Sequence, residues 1–151
     1  MTFGATRFAH AARGARPDVH WVIAGDGPER RALAVEVGKL DLSDRVHLLG
    51  HVPRADALLR ESDVVVMSSR AEGLGTVVLH ALALGKPVVA TAGGGLSEIV
   101  PARWLAPVGD ADDLARRVIE ALDRPSPAPL PAQYTAAAMA AGVLAVYRSL
   151  V

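Results

Sequence analysis

A doubly wound, mostly parallel α/β sheet is the fold class this sequence predicts, and three observations predict it. Short Val-rich apolar runs alternate along the chain with helix-length segments, joined by short connections. One run, Asp63-Val64-Val65-Val66-Met67, is continuously apolar after its first residue, as in a strand buried on both faces. Glycine turns close the runs: Gly25-Asp26-Gly27, Gly50-His51-Val52, Glu72-Gly73-Leu74-Gly75 and Gly93-Gly94-Gly95. In such a sheet they converge on one rim outside the strand carboxyl ends, where ligands bind.

The elements follow in order. Val19 to Ala24 reads as a strand running into Gly25-Asp26-Gly27-Pro28, and Pro28 suits the first turn of a helix over 29–39. Arg45 to Leu49 is the next strand, closed by Gly50-His51-Val52-Pro53, and 54–61 is a short helix. After the 63–67 strand come a glycine turn and a helix from Thr76 to Leu84, apolar on nearly every side and so expected to be buried. Gly85 stops it, and Pro87 to Thr91 is a fourth strand. A triple-glycine loop precedes a short helix over 97–100. Trp104 to Val108 is an edge strand, its proline arguing against a central place. Acidic residues open a helix over 110–122, a proline-rich connector spans 123–132, and a last helix runs over 133–150. The whole of 1–151 reads as one domain without internal repeats.

Composition excludes several function classes. Sixteen basic residues balance sixteen acidic ones, so an electrostatically driven role on nucleic acid or a polybasic membrane contact is not expected. With no cysteine there is no disulfide framework and no thiolate metal site. No apolar run reaches transmembrane length and the first residues lack a signal-peptide layout, so a soluble cytoplasmic domain is the expectation.

The stretch from Ser69 to Ala90 carries the most chemistry. Gly73 and Gly75 let the backbone approach a ligand, and the free amides opening the next helix favour anions, which makes a diphosphate the natural guest. An ordinary strand-to-helix turn explains the same residues when the turn is taken alone. Asp26 reads as a turn organiser. His10, His20 and His47 lack metal-ligand spacing, and no Gly-x-Gly-x-x-Gly opens a helix in the manner of a dinucleotide fold.

The wording and order of five phrases make a resemblance specific. Val22-Ile23-Ala24-Gly25-Asp26-Gly27-Pro28, Val46-His47-Leu48-Leu49-Gly50-His51-Val52, Ser68-Ser69-Arg70-Ala71-Glu72-Gly73-Leu74-Gly75, Gly85-Lys86-Pro87-Val88-Val89-Ala90-Thr91 and Gly93-Gly94-Gly95-Leu96-Ser97-Glu98-Ile99-Val100 follow one another here. Together they resemble the donor-binding half of retaining, family 4 (group 1) glycosyltransferases of the GT-B fold, a Rossmann-like sheet. The resemblance covers the chain from about Phe8 onward. It implies that Glu72 addresses the donor sugar in the catalytic site. Gly73, Leu74, Gly75 and Thr76 would meet sugar and diphosphate, and His51 and Val52 would lie beside the nucleotide base. It further implies a nucleotide-diphospho-sugar as donor substrate, no cofactor and no metal.

Two departures qualify it. Where the family places a second glutamate on the ribose hydroxyls, this chain has His80, which offers one donor and one acceptor. A ribose contact and a core histidine satisfied by a local carbonyl are equal readings of it. The family's first strand and the basic pair after it have no counterpart in Met1 to His10, and the preceding acceptor domain is missing. Three readings stay open: a truncated piece, a split enzyme with a separate acceptor-binding subunit, and a degenerate, non-catalytic binding or interaction module. The absent strand belongs mid-sheet, between the strand of Trp21 and that of Val65. The gap then closes by pairing those two strands, by a makeshift strand from Met1 to Thr6, or by a strand borrowed from another molecule. The last helix, with Val143, Leu144, Val146, Tyr147 and Leu150, either folds back onto the domain or forms a self-association surface.

Overall fold

The fold is known from a computed structural model that describes residues 3–150. Helix α1 (Phe3–Arg13) leads into β1 (Trp21–Ala24), α2 (Arg30–Lys39) and β2 (Val46–Gly50). Then come α3 (Ala55–Glu61), β3 (Val65–Met67), α4 (Thr76–Ala83), β4 (Val88–Thr91) and α5 (Leu96–Ile99). A 3-10 turn at Ala102–Trp104 precedes β5 (Leu105–Ala106), α6 (Ala111–Asp123) and α7 (Ala136–Ser149). Every strand pairing is parallel, as the fold class requires.

The strands form two small sheets, one ordered β1-β2 and the other β3-β4-β5. Trp21 aligns with Val46 across the first, and Val65 with Val88 across the second. The expected mid-sheet gap therefore falls between β1 and β3, which do not pair. The makeshift strand is also ruled out over 3–6, since those residues are helical; Met1 and Thr2 lie outside the described residues.

The main core surrounds the second sheet. Val88, Val89, Ala90 and Thr91 of β4 are buried at every position, the pattern of an interior parallel strand. Helix α6 covers them with Leu114, Ala115, Val118 and Ala121, a stripe at helical spacing, and is capped by Asp110, which accepts from the Asp113 amide at 2.9 Å. Val78, Ala81 and Leu82 of α4 enter the same core. A smaller cluster of Ala9, Val37, Leu42 and Val46 lies over the first sheet, and Trp21 packs against both clusters. Beyond α1, Arg16 ties the two ends of its helix pair together, bonding Asp18 at 2.8 Å and Asp123 of α6 at 2.6 Å.

The expectation of a helix buried on nearly every side is corrected for α4. Thr76, Val77 and His80 form an exposed face, Val77 at 43%. Because the helix lies on the sheet with one side only, apolar content does not make it central. In α7, no residue is buried, and Val143, Leu144, Val146, Tyr147 and Leu150 are all exposed. It has not folded back onto the domain.

Candidate functional site

The turn between β3 and α4 is held from beneath by the loop after β4. Thr91, at the end of β4, donates its hydroxyl to the Ser69 carbonyl at 2.5 Å and to the Met67 carbonyl at 3.3 Å. Ser69 and Thr91 are themselves buried, so polar groups placed there must be bonded: Thr91 reaches across to the β3 segment, and the Ser69 hydroxyl bonds within its own, to the Met67 sulfur at 3.4 Å and to Glu72. The Gly95 amide donates to the Glu72 carbonyl at 3.0 Å. Gly93 sits so close that an added Cβ would lie 2.7 Å from the Arg70 carbonyl oxygen. At Gly94 and Gly95 an added Cβ would overlap the Glu72 and Gly73 carbonyls. The triple glycine is thus a backbone cradle for the turn, with no room for side chains.

On that cradle Glu72 is half-buried, and the Ser69 hydroxyl donates to its Oε2 at 3.4 Å. Gly73 and Leu74 are exposed beside it. Gly75 takes the left-handed conformation at φ 62°, costly for any other residue, and caps α4 by accepting at its carbonyl from the Val78 and Leu79 amides. No side chain caps this helix. The amides of its first turn, at Thr76 and Val77, have no acceptor within the helix and point out of its N-terminus next to Glu72. One turn on, His80 is exposed on the same side of α4 as Thr76 and Val77. The core-histidine reading of His80 is therefore set aside, since water reaches the ring.

The other two glycine turns meet at the first sheet, where the Gly25 amide donates to the Gly50 carbonyl at 2.7 Å. Asp26 accepts from the Gly27 amide at 2.9 Å, the turn-organising role expected of it. His51 is exposed and Val52 half-buried. Arg30 lies across the end of β2, its Nη2 3.4 Å from the Leu48 carbonyl oxygen. An open cleft of about 500 Å³ lies here between Asp26, Pro28, Arg31 and Leu48. It touches neither Glu72 nor the α4 N-terminus.

Histidines brought together without any sequence signal are His20 and His47, stacked 5.2 Å apart on the open face of β1 and β2. Among the described residues, no group of three or more His, Cys, Asp or Glu is placed to hold a metal ion. Ser69 and Thr91 are the supporting residues that sequence reasoning missed. A buried hydroxyl beside a carboxylate leaves no periodicity to detect. No helix of the described residues is long and apolar enough to cross a membrane.

The family of group 1 glycosyl transferases matches residues 3–124. The chain belongs to that family. The chain is 34% identical over 108 residues to the N-acetyl-alpha-D-glucosaminyl L-malate synthase of Bacillus anthracis, covering 70% of this chain and 28% of that protein. It is 30% identical over 147 residues to the alpha-D-kanosaminyltransferase of Streptomyces kanamyceticus, covering 88% of this chain and 38% of that one. The chain thus spans about a third of these relatives' length. Among solved structures, the sucrose-phosphate synthase of Thermosynechococcus elongatus superposes with a TM-score of 0.81 at 27% identity, over 97% of this chain and 42% of that one. Anabaena HepE, solved in complex with UDP-glucose, superposes with a TM-score of 0.73 at 27% identity, over 81% of this chain and 36% of its own. The fold is therefore one Rossmann-like half of a GT-B architecture, with its strands divided between two sheets.

Proposed function

We propose that this chain is the donor-binding part of a glycosyltransferase that transfers a sugar with retention from a nucleoside diphosphate to an acceptor hydroxyl. The observation that carries the reading is the Glu72 turn: a carboxylate steadied by Ser69, set beside the N-terminus of α4, where no side chain caps the first amides. Glu72 would accept hydrogen bonds from donor-sugar hydroxyls, strong because the acceptor is charged. The backbone from Gly73 to Thr76 would donate to diphosphate oxygens, where the helix dipole also favours negative charge. Those amides do the work of a metal, so transfer is proposed to be metal-independent and cofactor-free. His51 and Val52 would sit beside the base and His80, exposed one turn along α4, would reach the ribose hydroxyls.

In the transfer, the bond between the anomeric carbon and the phosphate oxygen breaks, and a bond from that carbon to the acceptor oxygen forms. The acceptor's hydroxyl proton goes to the departing phosphate oxygen, and the nucleoside diphosphate leaves. A separate acceptor-binding domain or subunit would hold the acceptor. A non-catalytic nucleotide-binding module is the second reading, favoured by His80 standing where the family places its second glutamate.

Calorimetric titration of this chain with UDP-glucose tests the first reading. Two missing basic contacts remove charge-assisted bonds of roughly 1.5–3 kcal/mol each, so the expected dissociation constant is about 0.1–10 mM. Nanomolar affinity would contradict the charge argument, and no binding at tens of millimolar would remove the donor-site reading. Slow hydrolysis of the bound donor would favour an enzyme over a binding module.

A further inference from the structure

One face of α4 lies open to water beside the Glu72 turn, and few of its groups can accept a hydrogen bond. Thr76, Val77, His80 and Ala83 are its exposed residues, and the helix contains no acidic residue. Thr76 and His80 stand four apart and so are neighbours on one side, with His80 about 6 Å further along the axis from the N-terminus. Among the described residues, no group is bonded to the His80 ring. A nucleotide whose diphosphate meets the first amides of α4, and which runs on along this face, brings its ribose to that ring.

An imidazole there does different work from a carboxylate. A carboxylate has an oxygen for each of two adjacent hydroxyls, and both bonds are charge-assisted. A neutral imidazole has one acceptor nitrogen, and its other nitrogen carries a hydrogen. The two nitrogens point to opposite edges of the ring, so only one of them meets the ribose at a time. The protonated ring accepts from neither hydroxyl. One ribose hydroxyl at most is therefore bonded by His80, and the other is left to water, which reaches this exposed side of the helix. A site discriminates on a hydroxyl only where it commits a polar group to it.

We propose, resting on the donor-site reading above, that His80 makes the site blind to the ribose 2′-hydroxyl, so that the chain takes 2′-deoxynucleoside diphosphate sugars as readily as their ribonucleoside counterparts. The acceptor nitrogen of His80 takes the hydrogen of the 3′-hydroxyl, which both classes keep. At the 2′ carbon the ribonucleoside presents a hydroxyl bonded by water alone, and the deoxynucleoside presents a hydrogen. Neither case costs the protein a bond. A carboxylate at the same position would lose one of its two charge-assisted bonds to the deoxynucleoside, and would select against it.

The test is calorimetric titration of the full chain with UDP-glucose and with 2′-deoxyuridine diphosphate glucose, which share base and sugar and differ in one hydroxyl. The two dissociation constants should agree within about 3-fold. His80→Glu, at an exposed position and so expected to melt with the parent, should then favour the ribonucleotide donor by ~10-fold or more. A preference of that size in the parent would overturn the proposal while leaving the donor site standing, and this comparison needs no variant. An unchanged ratio in His80→Glu would overturn it too, by removing His80 from the ribose. Binding of neither donor at tens of millimolar would remove the donor-site reading itself, and the proposal with it.

Discussion

Glu72 is where a single atom separates the readings. Replacing it with Gln keeps shape and removes charge, so UDP-glucose binding should fall about 10-fold while the melting temperature stays within about 1 °C of the parent, as for a surface change. A sharp fall in melting temperature with unchanged binding would make the residue structural. Gly95 is the opposite case. A methyl group there overlaps the Gly73 carbonyl, so Gly95→Ala should destabilise by about 1–3 kcal/mol and weaken binding too, because the cradle moves the turn. Thr6, fully buried in α1, has a hydroxyl without a hydrogen-bond partner among the described residues. Thr6→Val should stabilise the fold by about 1 kcal/mol in chemical denaturation, by relieving that unmet desolvation.

Helix α6 carries the clearest element-scale prediction, because its cap and its charges share one turn. Asp110→Ala removes the cap on the Asp113 amide and should cost about 0.5–2 kcal/mol. The Asp113 carboxyl is held below the ordinary carboxylate range, first by its hydrogen bond from Arg117 and then by that from Arg116. Asp18 is pulled down to about 2, chiefly by its hydrogen bond from Arg16. A depressed carboxyl contributes stability that is present above its unfolded pKa, about 4, and lost as pH falls through its folded value. The melting temperature should therefore decline from about pH 5 toward pH 2, and Asp113→Asn should make that decline shallower. An unchanged decline in the variant would place the acid sensitivity elsewhere. The Arg116 and Asp18 partners are exposed, so screening keeps their effects small and salt should reduce them, while the Arg117–Asp113 pair is largely covered.

At the scale of the molecule, α7 is apolar around much of its circumference and buries none of it. Exposed faces of this kind associate. Sedimentation should show mass rising with concentration, and Val143→Lys combined with Tyr147→Lys should restore a monomer. A monomer at all concentrations would mean that the helix is tolerated in water.

Local pattern determined most of the elements. The continuous apolar run ending in Met67, the glycine stops and the acidic start of α6 each act within one turn or strand of the chain, so their signals survive without a tertiary context. Predicted and observed boundaries differ by only a few residues, as for the last helix, expected over 133–150 and found at Ala136–Ser149. The glycine turns were legible as turns for the same reason. What the chain alone does not encode in neighbouring residues is contact across sequence. Only the fold brought Thr91 beneath Ser69, stacked His20 on His47 and made the triple glycine a floor for Glu72. It also decided that α4 rests one-sided on its sheet, exposing His80, because coverage depends on how many layers lie above a helix and not on its own hydrophobicity. The open centre of the sheet was decided there as well, since backbone pairing is satisfied between strands that the sequence leaves far apart.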